Sequence, residues 1–296
     1  MNSSQDTALI KAAPALFVVM WATGFVVSRL SAGHVDPFTF LALRFPLAAL
    51  IFLGVALVMQ APWPGPRGVL HAVVAGALIH AVYLGPIYWA VAHGLPAGVG
   101  ALIVGLQPLV TAFAAALLLG EALDQRHWLG LAVGLAGVAL VIWPKLCFTG
   151  TGITPVTVAA CLVGTAAISF GTIYQKRFAT GLHIATGGVW QYVGAAVVAA
   201  AAAFLFEDRM FDHSLQAWVA LGWSVIVLSL GAISLLMLLI RHGAVGKVAS
   251  LIFLVPAAAA LMAYAMFGET LVPVQLLGMG LCAVAVFIVN RRPQTL

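Results

Sequence analysis

Apolar runs of about the length of a membrane span recur along the whole chain, separated by short joints of turn-forming or charged residues. They predict helices near 12–30, 38–59, 69–91, 96–119, 127–143, 156–176, 184–206, 217–240, 247–267 and 272–290. The joints read as turns, as in "QAPWPGPRG" (60–68), "PKLCFTGTGITP" (144–155) and "EDRMFDHS" (207–214). No hydrophilic stretch is long enough for a separate soluble domain. Polar residues inside the runs gather at one depth: Trp21, His80, Gln107 with Pro108, Thr165 with Ser169, Ser229 and Pro256 all fall near the midpoint of a span. An unsatisfied polar group is costly in hydrocarbon, so this band is expected to face a cavity or the bundle interior rather than lipid.

The pattern is also written twice. In "QPLVTAFAAALLLGE" (107–121) and "PAAAALMAYAMFGE" (256–269), a proline precedes a Gly-Glu pair by twelve residues, and Gly130 or Gly278 follows the glutamate by nine. Pro108 and Pro256 are 148 residues apart, half the chain. The flanks "HGLPAGVGALI" (93–103) and "HGAVGKVASLI" (242–252) extend the echo, as do "GLAVGLAGVALVI" (130–142) and "GMGLCAVAVFIV" (278–289). A duplication predicts two halves of five spans each, residues 1–146 and 147–296. Because five is odd, the second half enters the membrane from the opposite face. The fold class expected is thus an all-α membrane protein of ten transmembrane helices arranged as two inverted five-helix repeats. Many secondary transporters are built this way, with a substrate site near the midplane where the halves meet.

Composition agrees: 64% of the 296 residues are apolar and 7% charged, too few charges for a water-facing surface. The net charge of +5 does not cluster, which argues against a nucleic-acid partner. Lys11, Arg67, Arg126, Lys176, Arg177, Arg241, Lys247, Arg291 and Arg292 fall on one side of a ten-span arrangement, and Lys145 and Arg209 on the other. This bias predicts a multi-pass protein of the cytoplasmic (inner) membrane with both termini in the cytoplasm. Pro14 and Trp21 break the apolar core that a cleaved signal peptide needs, so the first run is read as a retained span. Cys147, Cys161 and Cys282 form neither a disulfide framework nor a zinc site, and no cofactor or metal is expected. The spans hold no HExxH, no paired midplane aspartates and no GxSG-like serine, so no catalytic residue is assigned and no enzyme is expected.

The candidate substrate-binding residues are Trp21, His80, Tyr83, Tyr88, Gln107, Ser169, Trp190 and Gln191. His80, Tyr83 and Ile87 share a helical face, and a midplane histidine in a membrane is a functional candidate by default. Thr165, Ser169 and Thr172 also share one, where hydroxyls bond to neighbouring helices more often than to ligands. Trp89, near a span end, reads as an interfacial anchor. Pro108 and Pro256 deprive the carbonyls of Val104 and Ile252 of a helical partner; they either bind a substrate ammonium or kink helices that neighbours re-satisfy. Glu121 and Glu269 begin sharp turns and read as structural or hinge residues. Gly130 and Gly134 form a GxxxG packing face. Arg44 lies within roughly 10 Å of the outer face by helix rise. It either snorkels to the interface or meets a carboxylate at the cavity mouth.

The segments "VVMWATGFVVSRL" (18–30), "ALRFPLAAL" (42–50) and "YWAVAHGLPAGVGALIVGLQPLVTAFAAALLLGEAL" (88–123), with the second-half echo, resemble the EamA-type branch of the drug/metabolite transporter superfamily. The resemblance covers essentially the whole chain. It implies a ten-helix carrier that exports small metabolites, and within the branch the chain is most similar to aromatic and neutral amino-acid exporters. Val245 stands where the first half has Pro96, so the second-half motif is the weaker copy. The residues themselves lead to a similar solute. No Asp or Glu lies at midplane, which disfavours coupling through a buried carboxylate, and a phosphorylated ligand would need more deep cations than Arg44. A zwitterionic amino acid fits that inventory, moving by alternating access; the alternative is a multidrug or quaternary-ammonium carrier using the same aromatics through cation–π contacts. The expected partners are therefore a small-molecule substrate and membrane lipid, with the oligomeric state left open.

Overall fold

The computed structural model describes residues 3–119, 125–146, 152–232, 235, 255–269 and 272–290. These are helical almost throughout, with one isolated antiparallel bridge between Val35 and Phe211. In chain order the helices are α1 (Ser3–Ser31), α2 (Pro37–Val58), α3 (Pro66–Ala92), α4 (Ala97–Val104), α5 (Gln107–Leu119), α6 (Gln125–Leu146), α7 (Pro155–Phe178), α8 (Ile184–Phe206), α9 (Leu215–Ala232), α10 (Val255–Phe267) and α11 (Pro273–Asn290). Among the described residues α2, α3, α7, α8 and α9 are each long and apolar enough to cross a membrane, and shorter apolar helices cover Ala15–Ser31, Ala97–Thr111, Val255–Phe267 and Leu276–Ala285.

The helix boundaries follow local chemistry. Pro37, Pro66 and Pro155 sit in the first turn of their helices, where a missing N–H is no loss. Thr154 and Thr157 cap α7 reciprocally, each side chain accepting from the other's backbone N–H. The run predicted at 96–119 is interrupted: α4 ends at Val104 and α5 starts at Gln107, with Pro108 in its first turn. Pro108 has no N–H to give to Val104, and the ring of Pro256 packs so close to Gly105 that a Cβ there would lie 2.9 Å from its Cγ. The far end of α10 closes with Gly268 at φ +64°, whose N–H bonds to the Tyr264 carbonyl while that of Glu269 reaches Ala263. The counterpart turn at Glu121 and the Ile252 carbonyl lie outside the described residues.

Helices in lipid gain little hydrophobic energy by associating, so close backbone approach must hold them. A Cβ on Gly76 of α3 would sit 2.0 Å from the Gln191 carbonyl of α8, and one on Gly194 of α8 would sit 2.4 Å from that of Val73. Any side chain at either position forces α3 and α8 apart. This crossing matters for function because His80 of α3 and Tyr192 of α8 lie one turn from it. Two stretches depart from α-helical winding, Ala77–Val82 in α3 and Ser224–Ala232 in α9, both wound as π-helix. Such turns turn side chains out of the regular register and often mark functional sites.

Candidate functional site

A cavity of about 110 Å³ opens inside the bundle, room for several water molecules. Its wall is mostly aromatic and aliphatic, and it is lined by Trp21 and Phe25 of α1, Arg44 of α2, His80, Tyr83 and Tyr88 of α3, Ile168 of α7, Tyr192 of α8 and Leu228 of α9, among others. Both π-wound stretches reach it, the first through Ile79 and His80 and the second through Leu228 and Ala232.

The rings at the wall form two packed groups, one around His80 and Tyr192 and one of Phe40 with Tyr88. The His80 imidazole stacks on Tyr192, with centroids 4.5 Å apart and planes 10° from parallel. Phe45 touches both rings, Phe52 packs on Tyr192, and Phe40 stacks on Tyr88. Gln191 stands beside His80, and Ser229 of α9 beside Tyr192. The histidine is therefore fixed in orientation by the helix that Gly76 and Gly194 bring alongside.

Among the described residues the one formal charge lining the cavity is Arg44. Its residue is 6% exposed, so it does not snorkel to an interface. Nη1 donates to the Tyr88 hydroxyl at 3.4 Å, a long bond, and Nε is buried without a hydrogen-bond partner. Among the described residues no carboxylate pairs with it: the ion pairs there are Arg29 with Glu269 and His34 with Asp212. A buried guanidinium left in this condition is costly until something anionic meets it.

Of the sequence candidates, the fold brings Trp21, His80, Tyr83 and Tyr88 together on the cavity wall. Gln191 stands behind the wall against His80. Ser169 points to backbone, donating to Thr165 at 2.8 Å and to the Gln107 carbonyl at 3.3 Å, and it ties α7 to the start of α5. Gln107 contributes that carbonyl, which also accepts from Thr111. Trp190 does not line the cavity, and its buried indole N–H has no partner among the described residues. Pro108 and Pro256 stand at the α4–α5 interruption and at the start of α10, outside the lining. Sequence reasoning missed Tyr192 as a wall residue and left Arg44 undecided. The signal for Arg44 was its depth in a span; Tyr192 offered none beyond lying next to two residues already singled out.

The profile of the EamA-like transporter family matches this sequence twice, over residues 12–143 and 156–291. The chain belongs to the EamA-like transporter family. It is thus a membrane transporter. Its similarity to other family members runs the whole length of the chain. The "Uncharacterized inner membrane transporter YedA" of Escherichia coli (strain K12) is 26% identical over 292 residues, covering 98% of this chain and 93% of that protein. The "Probable amino-acid metabolite efflux pump" of Salmonella typhimurium is 26% identical, covering 92% of both chains. The "Probable terminal-alkyne amino-acid exporter" of Streptantibioticus cattleyicolor is 28% identical, covering 94% of this chain and 92% of the other. A solved crystal structure superposes with a TM-score of 0.61 at 18% identity, covering 95% of this chain and 96% of its own, a likeness of fold.

Proposed function

We propose that this EamA-family transporter exports amino acids, aromatic and other neutral ones foremost, and related small metabolites across the inner membrane of a bacterium. It does so by alternating access between two inverted five-helix halves, residues 1–146 and 147–296, with both termini in the cytoplasm. The observation that carries the reading is the cavity, whose walls are aromatic and whose one charge is a cation. Aromatic walls suit an apolar or aromatic side chain, and a cation suits a substrate that carries a carboxylate. Names of two family members that speak of amino-acid efflux and export point the same way.

Three features support the two-halves part of the reading. The wall draws Trp21, Arg44, His80, Tyr83 and Tyr88 from the first half and Ile168, Tyr192, Leu228 and Ala232 from the second. The family profile matches once in each half. Moving the π-wound residues 77–82 by the 148 residues that separate Pro108 from Pro256 gives 225–230, inside the second π-wound stretch. Trp21, His80, Tyr83 and Tyr88 contact the solute in this scheme, Gln191 orients His80, and Gln107, Ser169 and Trp190 shape the surrounding helices. Pro108 and Pro256, one on each side of the seam, are where the halves flex. Transport runs as uniport or weakly coupled export, since no Asp or Glu stands at mid-span.

Counterflow in proteoliposomes tests the proposal: vesicles loaded with a mixture of unlabelled amino acids should take up a labelled neutral or aromatic one, and empty vesicles should not. Uptake of quaternary-ammonium drugs in place of amino acids would establish the cation-carrier alternative, for which the same rings would serve through cation–π contacts.

A further inference from the structure

Of the two buried side chains with an unpartnered nitrogen among the described residues, Arg44 and Trp190, the charged Arg44 is the costlier, and its surroundings say what would settle it. Burial of a guanidinium favours a partner that is anionic and planar, because the fork of N–H donors matches a carboxylate in two parallel bonds. The group keeps a donor free: Nε has no partner, and the single contact of Nη1 is to a neutral phenol at 3.4 Å. Among the described residues the cavity wall offers a cation aromatic faces but no carboxylate, as no Asp or Glu lines it.

We infer that Arg44 is the anchor for a substrate carboxylate, and that the cavity requires this carboxylate while the substrate's ammonium group is dispensable. The inference rests on the transport reading above and narrows it to carboxylate-bearing solutes. Position along the bundle orients the solute as well. Arg44 lies seven residues into α2, about 10 Å from that end of the helix, whereas His80 lies near the middle of α3. The carboxylate is therefore held toward the end of the bundle that carries the 31–37 and 207–214 joints. The apolar part of the solute lies deeper, against His80, Tyr192 and Trp21. An amino acid satisfies this arrangement, and so does the same skeleton with hydrogen or a keto oxygen in place of the amine.

Three phenyl compounds separate the charges without any mutation: L-phenylalanine, 3-phenylpropionate, which lacks the ammonium, and phenylethylamine, which lacks the carboxylate. Binding is read as ligand-induced thermal stabilisation of the purified full chain, and transport as competition with labelled phenylalanine in counterflow. 3-Phenylpropionate should bind within a few-fold of phenylalanine, and phenylethylamine should bind roughly tenfold to a hundredfold more weakly, the loss expected for one charge-assisted contact. Arg44→Gln should abolish the discrimination, and Arg44→Lys, which keeps the charge and loses the fork, should retain part of it. Phenylethylamine binding as well as phenylalanine, or Arg44→Gln binding all three like the wild type, overturns the assignment. The two readings fail separately. If no amino acid is transported yet 3-phenylpropionate stabilises the wild type and not Arg44→Gln, the anchor stands and amino-acid export falls. If phenylalanine is transported without preference for the carboxylate compounds, export stands and the anchor falls.

Discussion

At the end of α8, Glu207 accepts from the backbone N–H of Phe38 and of Thr39 at 2.7 Å each and from the Thr39 hydroxyl at 2.9 Å. About 10 Å deeper by helix rise, Arg44 on the helix that Glu207 caps has a distant phenol and an orphaned Nε. The same contrast holds for three other carboxylates at that end of the bundle. Glu269 faces Arg29 at 3.7 Å and the N–H groups of Ala97 and Gly98, Asp36 accepts from Met210 N–H, and Asp212 pairs with His34. These four acids at the rim are matched by donors from another helix or joint, and Glu207 and Glu269 sit at helix N-termini where the dipole favours them. They hold the helices in place. The guanidinium inside is matched by nothing the described residues supply, and that is the property of a group waiting for a ligand. Satisfied charge builds the frame; unsatisfied charge, kept in place by the frame, binds.

That contrast makes opposite predictions for substitutions at the two places. The largest effect is expected from Arg44→Met, which should eliminate transport and at the same time raise the stability of the empty protein by about 1–4 kcal/mol, as replacing buried charge by an apolar side chain commonly does. Thermal unfolding in detergent and counterflow on the same preparation check it, and a destabilised variant would mean that Arg44 belongs to the frame. Glu207→Ala should act in the other sense. It removes three bonds to the start of α2 and should cost about 1.5–3 kcal/mol, given that hydrogen bonds to charged groups are the strong ones. His80→Ala should leave membrane insertion intact and lower transport several-fold, because a ring stack is worth about 0.5–1.5 kcal/mol beyond its buried area; unchanged flux at every pH would remove His80 from the site.

The smallest effect is assigned to Asp212. Its hydrogen bonds to Ser214 first, and to His34 second, hold its carboxyl down from 3.8 to about 2. A depressed value means that the contribution is complete above the unfolded value of 3.8 and is lost as pH falls through about 2. Asp212→Asn should therefore flatten the acid limb of stability between pH 3.8 and about 2 and lower neutral stability slightly, since the contribution it removes is present there and is screened by solvent. Fluorescence of Trp218, which packs against Phe211 and His213 in the same joint, can follow the transition.

How much of this could be read in advance differs from residue to residue. A span must be apolar over its whole length, so α2, α3, α7 and α8 begin and end within three residues of the predicted runs. Trp21 and His80 were legible because polar groups at depth are costly in lipid, and Tyr83 because it shares the helical face of His80. Ser169 and Gln107 met the same criterion and went elsewhere, since a hydroxyl or carbonyl can be satisfied within the helix backbone at no cost in packing. Tyr192 escaped because adjacent residues on a helix point about 100° apart, so naming Trp190 and Gln191 was one step of rotation away from the wall.

By itself the sequence determined that the chain is a helical membrane protein, where α2, α3, α7 and α8 run, that its pattern is written twice, and which family it joins. Those follow from the solvent: lipid tolerates neither unpaired backbone nor long polar stretches, and both rules act along one dimension. Only the tertiary structure decided which side chains meet. The α4–α5 break, the π-wound turns and the Gly76 and Gly194 crossing set helix rotation, and rotation alone turned Arg44 inward and laid Tyr192 on His80. Facing is a property of pairs of helices, and no single run of residues encodes it.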